Sequence, residues 1–288
     1  MWKISDSDQI SNENSDKTRI IDNCMVKKID GTAIAEKIKD EVTQNIFKLN
    51  GPRPNLAIVL VGERADSQLY VSLKEREGKK VGVETHLYKL PAEITETGLL
   101  DVIGFLNKDA AIDGILIQLP LPENLNTDKI VAAVDPLKDV DGFHPQHPEY
   151  IISPVLASIL ACLDKIKFSN AGKSACVLYN SEVFGQSVKD ILEKRGLAVS
   201  LRDHPEIADL LITALGEPHK IKKEMIKDGA IIIDIGITKQ DDKVLGDVDF
   251  EDVKDKAGYI TPVPGGIGPM TIAFLFKNVW EIFQRKGK

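Results

Sequence analysis

Short apolar runs alternate with amphipathic stretches along most of the chain. Residues 56–61 (LAIVLV) and 114–119 (GILIQL) are almost free of polar residues, as in strands that are buried on both faces of a sheet. Between them, residues 96–108 place leucine and isoleucine at helical spacing on one face. Strands that alternate with helices predict parallel sheets joined by right-handed crossovers.

Further elements follow from the same pattern and from residues that begin or end helices. Ser67 is expected to cap a helix that runs to about Lys80 and is closed by Gly82, and residues 83–90 are expected to be extended. In the second half we expect strands at 174–179, 198–201, 210–214 and 231–235. Helices are expected at 187–195, at 222–227 and from Pro269 to about Gln284.

A proline-rich segment at residues 135–154 separates two such alternating regions. We therefore predict an α/β protein with two α/β domains and mainly parallel sheets. One domain comprises residues 25–145 together with a C-terminal helix at 270–288, and the other comprises residues 146–269. Residues 1–24 are rich in Ser, Asp, Asn and Glu and are predicted to form a polar disordered tail.

Composition and charge restrict the classes of partner. The net charge of −7 argues against a general nucleic-acid or membrane-surface binder, because both need a basic face. No apolar run approaches the ~20 residues that a membrane span needs. The three cysteines, Cys24, Cys162 and Cys176, are widely spaced and suggest neither a disulfide framework nor a metal site. The acidic N-terminal tail is unlike a secretory signal or a mitochondrial leader, so we expect a cytoplasmic protein.

Several polar residues lie where ligands bind to parallel sheets, beyond the carboxyl ends of strands. Tyr70 and Lys74 are four residues apart and share one face of the helix after the first strand. Gln118 lies near the end of a buried strand, where its amide either bridges to a loop or faces a ligand. Asp141 follows in the string DVDGFHP, which is also ordinary turn sequence.

Two glycine-containing loops are further candidates. Residues 262–271 (PVPGGIGPMT) combine glycines, which allow close approach of the backbone, with prolines, which stiffen it. The loop after strand 174–179 is where a dinucleotide fingerprint would read G-x-G-x-x-G, yet only Gly185 is in place. Tyr179 replaces the turn glycine, and Glu182 adds negative charge where phosphates would lie. Asp203, after the next strand, is either a ribose acceptor or a turn residue.

Four strings together resemble the methylenetetrahydrofolate dehydrogenase/cyclohydrolase family: VGERADSQLYVSLK, DGILIQLPLP, KDVDGFHP and YITPVPGGIGPMT. The resemblance covers residues 28–286. It implies a folate/catalytic domain, a Rossmann-like nucleotide domain and a folate cleft between them, in a homodimer. It also implies oxidation of methylenetetrahydrofolate by hydride transfer to NADP, followed by hydration of the methenyl product to formyltetrahydrofolate.

The resemblance also implies roles for single residues. Lys74 would be the central acid/base, with Gln118 hydrogen-bonded to it. Tyr70 would stack on the aromatic part of the folate, and Asp141 would accept hydrogen bonds from the N–H groups of the pterin. The folate pocket would further be lined by Pro264, Gly265 and Gly266.

The nucleotide positions depart from the family. By the same resemblance the cofactor NADP or NAD would lie against Tyr179, Asn180, Ser181, Gly185 and Ile237, without any metal. The family has glycine at position 179, arginine at 180 and proline at 187, where this chain has Tyr179, Asn180 and Ser187. Because that arginine contacts the 2′-phosphate and asparagine carries no charge, loss of nucleotide binding is an open alternative.

Three hypotheses of function follow. The first is a folate enzyme that keeps at least the cyclohydrolase step, since this step needs no hydride acceptor. The second is the complete bifunctional enzyme, with the nucleotide bound in a changed manner. The third is a non-catalytic folate-binding or regulatory protein, although simple binding would not require Lys74.

Overall fold

The computed structural model describes residues 26–241 and 243–286, so the tail predicted for residues 1–24 lies outside the described residues. The strands are β1 (Lys27–Lys28), β2 (Asn55–Val61), β3 (Glu84–Leu90), β4 (Gly114–Ile117), β5 (Ser174–Tyr179), β6 (Ala198–Leu201), β7 (Leu210–Ala214), β8 (Ile231–Asp234), β9 (Thr238–Gln240), β10 (Lys243–Leu245) and β11 (Tyr259–Ile260). The helices are α1 (Gly31–Phe47), α2 (Ala65–Val81), α3 (Glu96–Lys108), α4 (Thr127–Val131), α5 (Pro154–Lys165), α6 (Glu182–Lys194), α7 (Phe250–Val253) and α8 (Ile267–Lys286).

The strands form two parallel sheets and one small hairpin. The larger sheet has six strands in the order β1-β11-β8-β7-β5-β6, and the smaller has three in the order β3-β2-β4. Strands β9 and β10 pair with each other in antiparallel fashion. The predicted α/β class with mainly parallel sheets is confirmed.

Strand β2 shows why a buried strand can be predicted from an apolar run in the sequence. Six of its seven residues are buried. Leu56, Ile58 and Leu60 belong to the hydrophobic core on one face of the smaller sheet. Ala57 and Val59 belong to the core on the other face. A strand that is buried on both faces has to be apolar throughout, and this produces the unbroken run in the sequence.

Helix α8 contributes to the cores of both sheets. Met270 and Ala273 pack in the core of the six-stranded sheet. Phe276 and Val279, further along, pack against the three-stranded sheet. The first strand, β1, pairs with β11 in the larger sheet although it lies at the start of the chain. The N-terminal strand β1 and the first turns of α8 thus contact the larger sheet, whereas the end of α8 packs on the smaller one. The domain boundaries stay a prediction.

Three expectations for local structure were wrong. Helix α2 begins at Ala65, so Ser67 lies inside its first turn and does not cap it, although Gly82 ends the helix in the left-handed conformation as expected. Residues 222–227 form only a short 3₁₀ turn at Lys223–Met225, because the backbone is extended on both sides of it. Helix α6 begins at Glu182, five residues before the expected start at 187, since its first turn closes with a hydrogen bond from Gly185 N to Ser181 O.

Helix α5 follows the proline-rich segment and was not expected. It begins with Pro154, a residue that fits the first turn of a helix because its missing N–H would be unpaired there. Ile159, Cys162 and Leu163 are buried in the core of the larger sheet. None of the helices in the described parts of the chain is long and apolar enough to cross a membrane.

Candidate active site

Lys74 and Gln118 meet at the carboxyl edge of the smaller sheet. Lys74 lies on α2, which follows β2, and Gln118 directly follows β4. The Nζ of Lys74 donates to the Oε1 of Gln118 at 2.8 Å, and the Nε2 of Gln118 donates to the carbonyl of Leu119 at 2.8 Å. Gln118 is only 9% exposed. Its amide thus contacts the backbone of the following residue and holds the amine of Lys74, and whether it also faces a ligand stays a prediction.

Asp141 is held by a rigid turn at the same edge. The buried carboxylate of Asp139 accepts from Asp141 N at 3.0 Å and from His144 N at 2.8 Å. From α8, the side-chain amide of Asn278 donates to the carbonyl of Val140 at 2.8 Å. The backbone on both sides of Asp141 is thus fixed, and its half-buried carboxylate lies near enough to Lys74 for the two charges to interact.

Burial shifts the pKa values of Lys74 and Asp141 toward their neutral forms, and the attraction between their charges opposes the shift. Burial lowers the pKa of Lys74, and the neighbouring carboxylate of Asp141 only partly opposes this. Burial raises the pKa of Asp141 to about 7; the charge of Lys74 opposes the rise and that of Asp139 adds to it. Asp141 can therefore gain or lose a proton near neutral pH, and the lowered pKa makes the amine of Lys74 easier to deprotonate, as acid–base chemistry requires.

A cleft of about 1500 Å³ lies between α2 and the loops of the larger sheet. Five of the residues predicted from the sequence line it: Tyr70, Ile237, Pro264, Gly265 and Gly266. Lys74, Gln118 and Asp141 are not part of this wall. Lys74 lies one helical turn beyond Tyr70, whose half-buried ring lines the cleft. Lys74 and its two polar neighbours therefore adjoin the cleft next to this ring.

The glycines of the loop at residues 262–269 also have a structural role. Gly265 has a φ of +103°, a conformation that strongly favours glycine. Its carbonyl accepts from Thr32 N at 3.1 Å, at the start of α1. A Cβ added to Gly31 would collide with the carbonyl of Gly266. The close backbone approach that the sequence predicted is thus made in part to helix α1.

Four of the five predicted nucleotide residues lie around the turn between β5 and α6, and the fifth, Ile237, lines the cleft. The ring of Tyr179 is buried and lies on Gly185, where an added Cβ would collide with it. The hydroxyl of Tyr179 donates to Glu182 at 2.7 Å. Asn180 donates its side-chain amide to the carbonyl of Leu215 at 3.0 Å. Ser181 precedes α6 without making a side-chain cap.

Arg202 belongs to the same group and was missed by the sequence reasoning. Its guanidinium lies 4.0 Å from the centroid of the Tyr179 ring and 3.3 Å from a carboxylate oxygen of Glu182. The signal available was an arginine directly after strand β6, a position that faces the ligand edge of such a sheet.

These residues do not fit a dinucleotide bound in the manner of the fingerprint. That mode places the pyrophosphate on free backbone N–H groups at the helix N-terminus, next to a turn glycine. Here the turn residue is Tyr179, and the first residue of α6 is the carboxylate Glu182. Arg202 is already paired with that carboxylate.

Two buried carboxylates at the edge of the larger sheet were also missed. Asp234, at the end of β8, lines the cleft and accepts from Gly236 N at 2.9 Å. Burial raises the pKa of Asp234 to about 7, although backbone N–H groups oppose the rise. Asp247 accepts from Leu215 N at 2.6 Å and from Glu217 N at 3.0 Å, and so shapes the loop after β7. Neither residue belongs to a string that identifies such a role in the sequence.

His144 has a structural environment. It is 7% exposed, its Nδ1 accepts from Gln146 N at 2.9 Å, and its Nε2 lies 3.2 Å from the carbonyl of Ala132. Among the residues that the model describes, no group of three or more His, Cys, Asp or Glu side chains is arranged to hold a metal ion.

Comparison with known proteins bears directly on this site. Residues 29–141 match the family model of the tetrahydrofolate dehydrogenase/cyclohydrolase catalytic domain, and residues 154–287 match that of its NAD(P)-binding domain. The bifunctional protein FolD of Sulfurihydrogenibium sp. (strain YO3AOP1) is 41% identical over 278 residues, which cover 90% of this chain and 98% of that protein. The FolD of Geotalea daltonii is 42% identical over 280 residues, covering 91% of this chain and all of that protein.

Solved structures agree with the sequence matches. The crystal structure of the bifunctional FolD of Campylobacter jejuni has a TM-score of 0.86 at 35% identity, and the match covers 90% of this chain and 99% of that one. FolD from Trypanosoma brucei, complexed with NADP and an inhibitor, has a TM-score of 0.86 at 29% identity, covering 92% and 99%. The predicted resemblance is confirmed over both α/β regions. The chain belongs to the tetrahydrofolate dehydrogenase/cyclohydrolase family.

Proposed function

We propose that this chain hydrolyses 5,10-methenyltetrahydrofolate to 10-formyltetrahydrofolate, with Lys74 as the central acid/base. The observation that carries the proposal is the contact of Lys74 with Gln118 beside Asp141. Lys74 is half-buried, burial lowers the pKa of its amine, and the side-chain oxygen of Gln118 accepts a hydrogen bond from that amine. A surface lysine without chemistry would have none of these properties.

The reaction needs a group that moves protons next to a cation. The methenyl carbon carries positive charge, and a like charge close to Lys74 would lower the pKa of the amine further. Neutral Lys74 takes a proton from water as the water oxygen bonds to the methenyl carbon. The bond between this carbon and N5 then breaks, N5 gains a proton and the hydroxyl loses one, so that the overall reaction releases one proton.

The neighbouring residues would bind the folate. Tyr70 lines the cleft and offers an aromatic face to a planar ring. Ionised Asp141 would accept hydrogen bonds from ring N–H groups, which positions the reacting carbon near Lys74. Pro264, Gly265 and Gly266 form another part of the cleft wall and would limit where the rest of the substrate lies.

The test is the rate of methenyl-folate hydrolysis, corrected for the spontaneous reaction. Lys74→Met removes the amine while nearly preserving side-chain length, and we expect a loss of about 100-fold or more. Lys79→Met, on the exposed face of the same helix, is the matched control and should retain the wild-type rate. Equal rates for Lys74→Met and wild type would rule the proposal out.

Dehydrogenation is the second candidate, because residues 154–287 match the NAD(P)-binding domain of the family. It would oxidise methylenetetrahydrofolate with NADP or NAD. Formation of reduced nucleotide from methylenetetrahydrofolate measures this activity directly. The alternative of a non-catalytic folate-binding protein is disfavoured by the Lys74–Gln118 hydrogen bond, since binding alone would not require it.

The resemblance further supports a proposal about assembly, and a location is proposed with it. We propose that the chain forms a homodimer in the cytoplasm, with tetrahydrofolate derivatives as its small-molecule partners. Sedimentation equilibrium of the full chain should give twice the mass of 31.7 kDa, and a monomeric mass at micromolar concentration would contradict the dimer.

A further inference from the structure

The crevice that would receive a dinucleotide lies between β5 and β7. From β5 the chain crosses to β6 on one side and then returns to β7 on the other side. Dinucleotides bind to such sheets where the strand order reverses, with the pyrophosphate at the N-terminus of the first helix. In this chain that place is the turn from β5 into α6.

A tyrosine side chain occupies the space below this turn. Tyr179 is 4% exposed and packs with the core of the larger sheet. Gly185, the one fingerprint glycine that remains, accommodates the tyrosine ring, because any Cβ there would collide with it. The close packing of helix on strand that this glycine usually permits is replaced by the ring.

The two charged side chains next to the Tyr179 ring, Glu182 and Arg202, form an ion pair with each other. Glu182, in the first turn of α6, accepts from the hydroxyl of Tyr179 at 2.7 Å and lies 3.3 Å from Arg202. A carboxylate is favoured at a helix N-terminus for the same reason as a phosphate. Arg202 also donates from Nε to the carbonyl of Tyr179 at 3.2 Å. The cation that could receive a phosphate is thus already paired with a carboxylate at the surface and with a backbone carbonyl of the same chain.

The two rims of the crevice are joined as well. Asn180, after β5, donates its side-chain amide to the carbonyl of Leu215, after β7, at 3.0 Å. The loop after β7 is fixed in turn by Asp247, which accepts from Leu215 N and Glu217 N. A pyrophosphate entering between the rims would have to break the Asn180 contact.

We infer that Tyr179, Asn180, Glu182 and Arg202 form an intramolecular plug that keeps NADP and NAD out of the crevice, so that the chain is a cyclohydrolase without a hydride-transfer step. Tyr179 fills the space, and Asn180 bridges the two rims. Glu182 adds negative charge where the pyrophosphate would lie, and Arg202 is a cation that this charge already neutralises. The exclusion of nucleotide goes beyond the proposed hydrolysis and does not depend on it, because hydrolysis uses no hydride acceptor, whereas the description of the chain as a cyclohydrolase rests on that proposed function.

Calorimetric titration of the full chain with NADP and with NAD tests the plug without measuring turnover. The wild type is expected to show no saturable heat up to millimolar nucleotide. The triple variant Tyr179→Gly, Asn180→Arg, Glu182→Gln is expected to bind NADP at least about tenfold more tightly. Glu193→Gln, which removes a carboxylate paired with Lys189 elsewhere on α6, is the matched control and should bind as the wild type does.

Micromolar binding of either nucleotide to the wild type would overturn the inference. So would a triple variant that keeps the wild-type circular dichroism and melting temperature but gains no affinity. Should the triple variant not fold, Glu182→Gln alone replaces it: gained affinity for NADP supports the plug, and unchanged affinity contradicts it. Loss of hydrolysis in Lys74→Met is measured separately, so failure of one conclusion is distinguishable from failure of the other.

Discussion

The pKa of the Asp141 carboxyl group is set mainly by burial and by neighbouring charges. Burial raises its pKa to about 7, and the charge of Asp139 adds to this rise. Because the ionised form accepts hydrogen bonds from the pterin, kcat/KM for hydrolysis should rise as the pH increases through about 7. The same pH change increases the neutral fraction of Lys74, so both groups act in the same direction.

Replacement of Asp139 by asparagine tests the contribution of its charge to the pKa of Asp141. Asp139→Asn removes the like charge, so the pKa of Asp141 falls and the rise of kcat/KM shifts to lower pH. Asparagine can still accept from Asp141 N through its single oxygen, but its amide nitrogen cannot accept from His144 N, so the melting temperature of the variant is measured beside its pH profile. The pH profile of the variant measures the shift, and a profile that stays in place or moves to higher pH contradicts the assigned electrostatics.

Proximity was easiest to predict for residues that are close in the sequence. Tyr70 and Lys74 share a helix face because they are four apart. The contact of Lys74 with Gln118 joins residues 44 positions apart, and only the family resemblance predicted it. Arg202 was missed because its partners Tyr179 and Glu182 precede it by about twenty residues and no spacing rule connects them.

Among the helices and strands, too, some features were predictable from the sequence and others were not. Strands β2 and β5 were predictable because a strand buried on both faces must be apolar throughout. The boundaries of α6 and the 3₁₀ turn at Lys223–Met225 were not, since both depend on hydrogen bonds within one turn and on packing against neighbours. Side-chain periodicity reports the buried face of an element but not where its first turn closes.

The packing of α1 against the loop at residues 262–269 can be tested by one substitution. In Gly31→Ala the new methyl group collides with the backbone of Gly266, so the loop must move away from its position in the cleft wall. We expect a loss of about 2 kcal/mol or more in the free energy of unfolding and a raised KM for the folate.

Urea unfolding and steady-state kinetics measure the two effects of Gly31→Ala. Gly51→Ala is the matched control, because an added Cβ at Gly51 meets nothing within 4 Å, and its stability should change by less than about 0.5 kcal/mol. If Gly31→Ala is as stable as the control, the contact between helix and loop is not as tight as described.

At the scale of the whole molecule, α8 connects the two cores. Phe276 is fully buried where α8 packs on the smaller sheet, and its ring lies against Gly78 of α2. Phe276→Ala should lower the free energy of unfolding by about 3–5 kcal/mol, since it removes a buried ring and leaves a cavity.

Phe105→Ala is the control for this change. Phe105 is 60% exposed on α3, so its loss should cost less than about 0.5 kcal/mol. Urea unfolding followed by circular dichroism compares the two variants. A cost below about 1 kcal/mol for Phe276→Ala would show that α8 does not carry the packing assigned to it.

The chemistry of the whole chain depends on whether Lys74 gives up and regains a proton or only supplies positive charge. The most direct measurement is the single-turnover rate of methenyl-folate hydrolysis by Lys74→Arg in the absence of nucleotide. Arginine keeps the charge and the ability to donate to Gln118, but it does not deprotonate in proteins. The variant is predicted to be as slow as Lys74→Met; a rate within a few-fold of wild type would contradict proton transfer by Lys74.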